Sequence, residues 1–269
     1  MELPNKNTFI ADPFLFKYKD NYYAFFEEWN YNYGYISCSK LDKDLNFTKI
    51  EKCLDTKSHL SFPSIFEYKD NIYMIPESCA GGRGMDVYKC INFPLKWEKV
   101  NTINKIKEPI DPVFFCNNDI IYIFVGSINH FKIYYSNDFN NFKEHPINNS
   151  NSITNPRSAG NIFKYKENLY RPAQICKPNY GYGIAIYHID ILDTKSYKET
   201  FIKEIKPDWF PELTGTHTFN ICNDLLIVDG RLRVETPFKE HTGRVWKSTD
   251  NDDYVDKHIS KLKLEYMKK

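Results

Sequence analysis

Two Asp-Pro pairs, Asp12-Pro13 and Asp111-Pro112, each stand between an apolar residue and an aromatic run. A carboxylate held at such a position can act as a general base or, where its surroundings keep it protonated, as a general acid. Glu77 ends the apolar run Ile72–Pro76, so it is half-buried and needs a partner. Glu27 and Glu28 end another; strand side chains alternate, so at most one points inward, and Glu28 is the candidate of the pair. Arg157, Arg171 and Arg231, with Arg83 in the loop Gly81-Gly82-Arg83-Gly84, suit a phosphate or carboxylate. Gln174, His217 and Asp229 add hydrogen-bonding capacity, and Tyr180 in a Gly-containing loop can stack on a sugar. Asp12, Asp111 and Glu77 are thus the catalytic candidates. Glu28, Arg83, Arg157, Arg171, Gln174, Tyr180, His217, Asp229 and Arg231 are the binding candidates. Each has a bland alternative. An Asp before Pro can simply make a turn, the glycine loop can be a plain hairpin loop, and the arginines can pair with Glu77, Asp111 and Asp229.

A repeat must bring these residues together. Ile10–Glu28 reads as an apolar run, a polar turn and a second apolar run, which is a β-hairpin. The same pattern returns at Leu60–Ser78, Ile110–Ser127, Ser158–Gln174 and, degenerate, at Thr216–Arg231. Pro13, Pro63 and Pro112 mark the first three copies; Gly160 and Thr218 take the proline's place in the last two. A period near ~50 residues with strands in each unit means a propeller. Third strands follow each hairpin, and fourth strands follow most of them. The expected fold is all-β: a five-bladed β-propeller with four-stranded antiparallel blades at about 9–53, 60–103, 109–147, 158–205 and 215–248. Blade 5 lacks an obvious fourth strand, so either Leu3–Phe9 closes the ring or that blade is short. In the tail 249–269, Val255, Ile259, Leu262 and Tyr266 recur at helical spacing and predict a short C-terminal helix. The start of each first strand and the end of each second meet at one mouth of the channel. The candidates occupy those positions, together with His59 and Ser61, and their chemistry changes from unit to unit.

Composition narrows the function. The 269 residues carry a net charge of +1 with both signs interspersed, which argues against nucleic acid and against a polybasic membrane patch. No apolar run reaches the ~18 residues of a membrane span, and Met1–Asn5 has no signal-peptide character. The seven cysteines include no CxxC pair and read as reduced thiols, so a cytoplasmic location is expected. No zinc spacing, nucleophile elbow or kinase motif occurs, and no catalytic metal or other cofactor is expected.

At these residues two resemblances appear. Ala11-Asp12-Pro13 before Tyr22-Tyr23, Ile110-Asp111-Pro112, and Gly215-Thr216-His217 resemble motifs of family 43 glycoside hydrolases. That resemblance implies Asp12 as general base, Asp111 as the residue that orients and tunes the acid, and a structural calcium or a water cluster near His217. The family's acid, a Glu opening a later blade, is matched here by Arg157-Ser158-Ala159-Gly160, which has no carboxyl. More of the chain is similar to the N-terminal domain of glucosamine inositolphosphorylceramide transferase. The similarity lies in Ala11–Phe16, His59–Ser78, Asn155–Gln174, and His217–Asn220 with Val228–Arg231. It implies a role in glycoconjugate or surface-polysaccharide assembly.

Three functions remain open at this stage. The first is a glycosyltransferase acting on a phosphate-bearing sugar donor or acceptor, with a sugar or nucleotide-sugar ligand. The second is an inverting hydrolase with Glu77 as acid, which needs two carboxyls about 6.5–9.5 Å apart. The third is a non-catalytic glycan-binding module working beside a separate glycosyltransferase or sugar-modifying enzyme.

Overall fold

The computed structural model describes residues 9–30, 32–78, 84–106, 109–126, 130–150, 153–232 and 242–247. Five antiparallel sheets follow one another along the chain. Blade 1 holds β1 (Phe9–Tyr18), β2 (Asn21–Trp29), β3 (Gly34–Lys40) and β4 (Glu51–Leu54). Blade 2 holds β5 (Ser61–Tyr68), β6 (Asn71–Glu77), β7 (Met85–Asn92) and β8 (Lys96–Ile103). Blade 3 holds β9 (Val113–Asn117), β10 (Ile120–Gly126), β11 (Phe131–Ser136) and the short β12 (Lys143–Glu144). Blade 4 holds β13 (Phe163–Tyr165), β14 (Asn168–Ile175), β15 (Gly183–Leu192) and β16 (Tyr197–Ile205). In blade 5, β17 (Leu213–Gly215) and β18 (Phe219–Cys222) are two pieces of one interrupted strand, both paired to β19 (Leu225–Leu232); β20 (Thr242–Lys247) pairs with the other side of β19. The fold is the five-bladed propeller that the repeat implies.

The hairpins form where polar residues tolerate left-handed backbone. Lys69-Asp70 and Asn118-Asp119 both have positive φ at the two central positions, the geometry that matches the twist of the strands they join. The prolines mark a second device. Before Pro13, Pro63 and Pro112, residues Asp12, Phe62 and Asp111 have φ of 51°, 45° and 43°, and the registers of β1 and β5 slip at this point. Such a bulge re-aims one side chain, at a backbone cost of ~1–3 kcal/mol for a non-glycine residue. Blade 4 has Gly160 in the corresponding place, at φ +150°, where a Cβ would stand 2.1 Å from the Phe219 carbonyl oxygen.

Blades pack face to face through aromatic and aliphatic side chains. Phe93 of blade 2 meets Phe16, Tyr18, Tyr23 and Phe25 of blade 1, and Phe66 stacks on Phe114 at 3.7 Å between blades 2 and 3. Phe131 of blade 3 lies against Tyr197 of blade 4, and Phe163 against Phe219 of blade 5. Ile227 of blade 5 joins Ile10, Leu15, Ala24 and Phe26 of blade 1 and closes the ring. Below the mouth, polar side chains bridge the channel. The Ser64 hydroxyl donates to Asn161 at 3.0 Å, Asn220 accepts the N–H of Asn161 at 2.8 Å, and the Asn220 amide donates to the Pro13 carbonyl at 2.8 Å. These bonds link blades 2, 4, 5 and 1 across the axis, so the mouth is a basin with a floor.

Phe9 pairs with Trp29 inside blade 1, and Leu3–Thr8 lie outside the described residues, as does the tail expected to be helical. Among the described residues the one helical element is a 3-10 turn, Pro146–Asn149. Cys38, Cys53, Cys90, Cys116, Cys176 and Cys222 are free thiols; Cys38 and Cys53 are buried and Cys116 is exposed. No helix among the described residues is long and apolar enough to cross a membrane.

Candidate active site at the channel mouth

The bulge in β1 places Asp12 at the centre of the basin. One carboxylate oxygen accepts the backbone N–H of Phe62 at 3.2 Å and the other accepts the Thr218 hydroxyl at 3.0 Å. Asp12 is buried, and burial pushes its pKa up to about 6; Asp111 and Asp229 push the same way, and His217 opposes them. It is therefore an ionised carboxylate at neutral pH whose proton affinity lies close to the working range of a general base.

The gap between β17 and β18 supplies His217. Asp229 of β19 accepts the backbone N–H groups of His217 and Thr218 at 2.8 and 2.9 Å, while its other oxygen pairs with His217 Nδ1. Burial disfavours the charged ring, but Asp229 outweighs it, and the His217 pKa rises to about 9. The same pair holds Asp229 below the usual carboxylate range despite its burial. His217 is an imidazolium at neutral pH, 3.7 Å from Asp12.

The third group joins blades 2, 3 and 4. Asp111, fully buried, accepts from Arg157 Nε and Nη2 and from the Gln174 amide at 2.7 Å. Glu77 accepts the Asp111 backbone N–H at 2.9 Å and lies 3.8 Å from Arg157 Nη2. Burial and the adjacent Asp111 charge push Glu77 up to about 10, with Arg157 opposing. Glu77 is thus a neutral carboxylic acid where Asp12 is a carboxylate. Two carboxyls whose surroundings drive them apart are the pattern of an acid and a base.

Tyr180 forms the lip. Its ring lies 4.7 Å from the Arg157 guanidinium and 5.6 Å from His217, yet it remains 43% exposed, open to stacking. Gly181 follows at φ +63°, where a Cβ would stand 2.7 Å from the His217 ring. Arg231 buttresses this loop by donating to the carbonyls of Tyr180 at 3.0 Å and Thr214 at 3.2 Å.

Several expectations need correcting. Glu28 faces away from the basin and accepts the Ser37 hydroxyl at 2.7 Å; Glu27 is the inward member, 6% exposed. Arg171 is not on the rim. It lies 1% exposed between Phe131 and Tyr187, in a two-pronged pair with Glu199 at 2.6 and 2.7 Å. Arg83 falls outside the described residues. The arginines thus do not form an anion-binding cluster: Arg157 is held by Asp111, Arg171 by Glu199, and Arg231 by carbonyls. The described mouth gathers five carboxyls, Asp12, Glu27, Glu77, Asp111 and Asp229, beside Arg157 and His217, and burial holds Glu27 and Glu77 well above the usual carboxylate range. Thr218 and the Phe62 N–H, which orient Asp12, gave no signal in the sequence beyond their place in the repeat.

Donor atoms of Asp12, His217 and Asp229 lie within 4.8 Å of one another, which is metal-ligand spacing. The set fits a cation poorly. A metal needs an unprotonated imidazole, and this ring is held charged by Asp229. Both Asp12 oxygens already accept hydrogen bonds.

The family described as glucosamine inositolphosphorylceramide transferase 1, N-terminal, matches residues 2–208. Glucosamine inositolphosphorylceramide transferase 1 of Arabidopsis thaliana is 33% identical over 209 residues, covering 72% of this chain and 27% of that protein. The chain therefore spans about a quarter of the length of this relative. Among solved structures, the α-L-arabinofuranosidase of Podospora anserina in complex with cellotriose superposes with a TM-score of 0.68 at 8% identity, covering 91% of this chain and 92% of that one. A family 43 β-xylosidase/α-arabinofuranosidase from a compost microbial metagenome gives 0.63 at 15% identity, covering 94% and 95%. At these identities the likeness is one of fold. The match over residues 2–208, together with the identity to the plant protein, shows that the chain belongs to the glucosamine inositolphosphorylceramide transferase 1 N-terminal family.

Proposed function

We propose that this propeller is a carbohydrate-active domain of glycoconjugate assembly and that its mouth transfers a glycosyl group. The observation that carries the reading is that Asp12 and Glu77, buried carboxyls of adjacent blades, both border Asp111, whose backbone N–H donates to Glu77 at 2.9 Å and whose charge reaches Asp12; burial raises Glu77 far more than Asp12. Asp12 takes the proton of the acceptor hydroxyl as it attacks the anomeric carbon. Glu77 gives its proton to the departing oxygen. His217 and Asp229 fix the backbone that carries Thr218 and so aim Asp12; Asp111 keeps Glu77 protonated. Tyr180 stacks on the sugar. Family membership favours transfer over hydrolysis. A phosphate on the acceptor would lie beyond the basin, because the Arg157 and Arg231 guanidiniums already donate to the protein; in a nucleotide-sugar donor the departing oxygen is a phosphate oxygen and would receive its proton from Glu77.

A second reading, a glycan-binding module without turnover, is favoured by one observation: the chain spans only 27% of its plant relative. One experiment separates the two. Wild type, Asp12→Asn and Glu77→Gln are screened against nucleotide sugars and aryl glycosides, by thermal shift for binding and by mass spectrometry for product. Transfer predicts a stabilising donor, since binding raises the melting point by mass action, and product that falls ~10²-fold or more in Asp12→Asn. Binding with no product in any sample would establish the module. Product from aryl glycosides with water as sole acceptor would establish a hydrolase.

A further inference from the structure

Glu27 has no place in the chemistry above, although it is a buried carboxyl of the same mouth. Its side chain is 8% exposed, and among the described residues no group donates a hydrogen bond to it. The nearest cationic candidate is His59, whose Nδ1 lies 3.8 Å from Glu27 Oε1. That nitrogen is already occupied: it accepts the backbone N–H of Gly34 at 3.0 Å. It therefore carries no proton, the ring is neutral, and its proton sits on Nε2. No described acceptor takes the Nε2–H, and the His59 side chain is 35% exposed.

The backbone is shaped around this pair. A Cβ on Gly34 would stand 2.4 Å from Glu27 Oε1, 2.6 Å from the Leu60 carbonyl oxygen and 2.9 Å from His59 Cε1. Gly34 thus leaves room for both side chains, and its N–H fixes the tautomer of one of them. Burial and the charges of Asp12 and Asp111 hold Glu27 well above the usual carboxylate range, so it offers one O–H donor and one carbonyl-like acceptor.

We infer that Glu27 and His59 form a subsite at the edge of the basin between blades 1 and 2 that binds adjacent hydroxyls of a neutral sugar. The Glu27 carboxyl and the His59 Nε2–H supply two donors and one acceptor within a few ångströms, the complement of a vicinal diol. A free carboxylate would repel an anion, and a lone cation would favour one; this neutral pair does neither. The assignment deepens the proposed function, since it places a sugar in the same mouth, but it stands on binding and not on turnover.

The test uses the full chain and three neutral probes, glucose, galactose and xylose, with binding followed by titration calorimetry and by the His59 Cε1–H resonance. The variants are Glu27→Met, which removes both the donor and the acceptor, His59→Asn and Asp12→Asn. Asn at 59 keeps an acceptor for the Gly34 N–H and removes the outward donor. At least one probe is expected to bind wild type and shift the His59 resonance. Binding should weaken at least ten-fold in Glu27→Met and in His59→Asn, with melting temperatures within about 2 °C of wild type. Unchanged binding in Glu27→Met, binding loss that follows a fall in melting temperature, or no binding of any probe by wild type would each overturn the subsite. Full turnover in Asp12→Asn would instead overturn the proposed chemistry and leave the subsite standing.

Discussion

The hydroxyl of Thr218 donates to the carboxylate of Asp12 at 3.0 Å, tying the last blade to the first at the point where the ring closes. Thr218 is fully buried and Asp12 is 8% exposed, so the bond is shielded from water. Thr218→Val keeps the shape and removes the donor. A buried acceptor deprived of one partner should cost about 1–3 kcal/mol in urea denaturation. The Asp12 pKa should also rise, because the Thr218 bond favours the ionised form. A variant with unchanged stability and unchanged titration of Asp12 would show that Thr218 does not support it.

Arg157 was attractive as a ligand-binding cation when only the sequence was in view. Its Nε and Nη2 in fact hold Asp111, which is 1% exposed and also bonded by Gln174. Removing one partner of such a pair leaves a buried charge and costs ~3–5 kcal/mol. Arg157→Met should therefore lower the melting temperature by roughly 6–20 °C for a domain of this size. Differential scanning calorimetry decides the point. A variant that melts like wild type but loses ligand affinity would restore the anion-binding role.

The repeat made the blades legible because the hairpin pattern and its prolines recur, and each blade must bury the same faces. It also placed Asp12, Asp111, Glu77, His217 and Asp229 at one mouth. It could not decide between Glu27 and Glu28. Pro13 marks the slip of the β1 register, between Ala11 and Phe14, but two adjacent glutamates at the end of β2 look alike in sequence whichever of them faces inward. Nor could it show Arg171 leaving the rim. Arg171 lies three residues before Gln174, ~10 Å down the strand, and its partner Glu199 comes from β16 on the far side of the blade.

The Arg171–Glu199 pair gives a clean contrast with the site. Both side chains are at most 4% exposed, and Tyr197 also donates to Glu199 at 2.5 Å. Arg171→Met alone should destabilise by ~3–5 kcal/mol, and the double variant Arg171→Met/Glu199→Gln should recover part of that loss. Turnover per folded molecule should not change in either. A loss of kcat at full folding would place Arg171 in the chemistry after all.

His217 links stability to pH. Its pKa is about 9 in the folded protein, against about 6.5 for an unperturbed histidine. The stabilisation by Asp229 is fully present below pH ~6.5 and is lost as pH rises through ~9. The difference corresponds to about 3 kcal/mol. Wild type should thus lose stability relative to His217→Gln between pH 6.5 and 9, measured by urea midpoints at constant ionic strength. Parallel pH curves for the two proteins would mean that the ring is neutral in the folded state and that Asp229 serves only the backbone.

The acid and base assignments predict a specific rate profile. Asp12 must be ionised, so the rate should climb as pH rises through about 6. Glu77 must be protonated, so the rate should fall only near pH 10. Between them lies a broad plateau. After burial, Asp111 is the charge that raises Glu77, and it also raises Asp12, so Asp111→Asn should move both limbs to lower pH. Glu77→Gln should remove the alkaline limb and slow the reaction ~10²–10⁴-fold with a poor leaving group. A nitrophenolate departs without needing a proton, so the same variant should be close to wild type on an aryl glycoside. That leaving-group dependence is the decisive measurement. A residue that merely supports Asp111 would lower both rates alike. If Glu77→Gln slows aryl and alkyl substrates by the same factor, Glu77 is scaffold and the proton must come from elsewhere in the mouth.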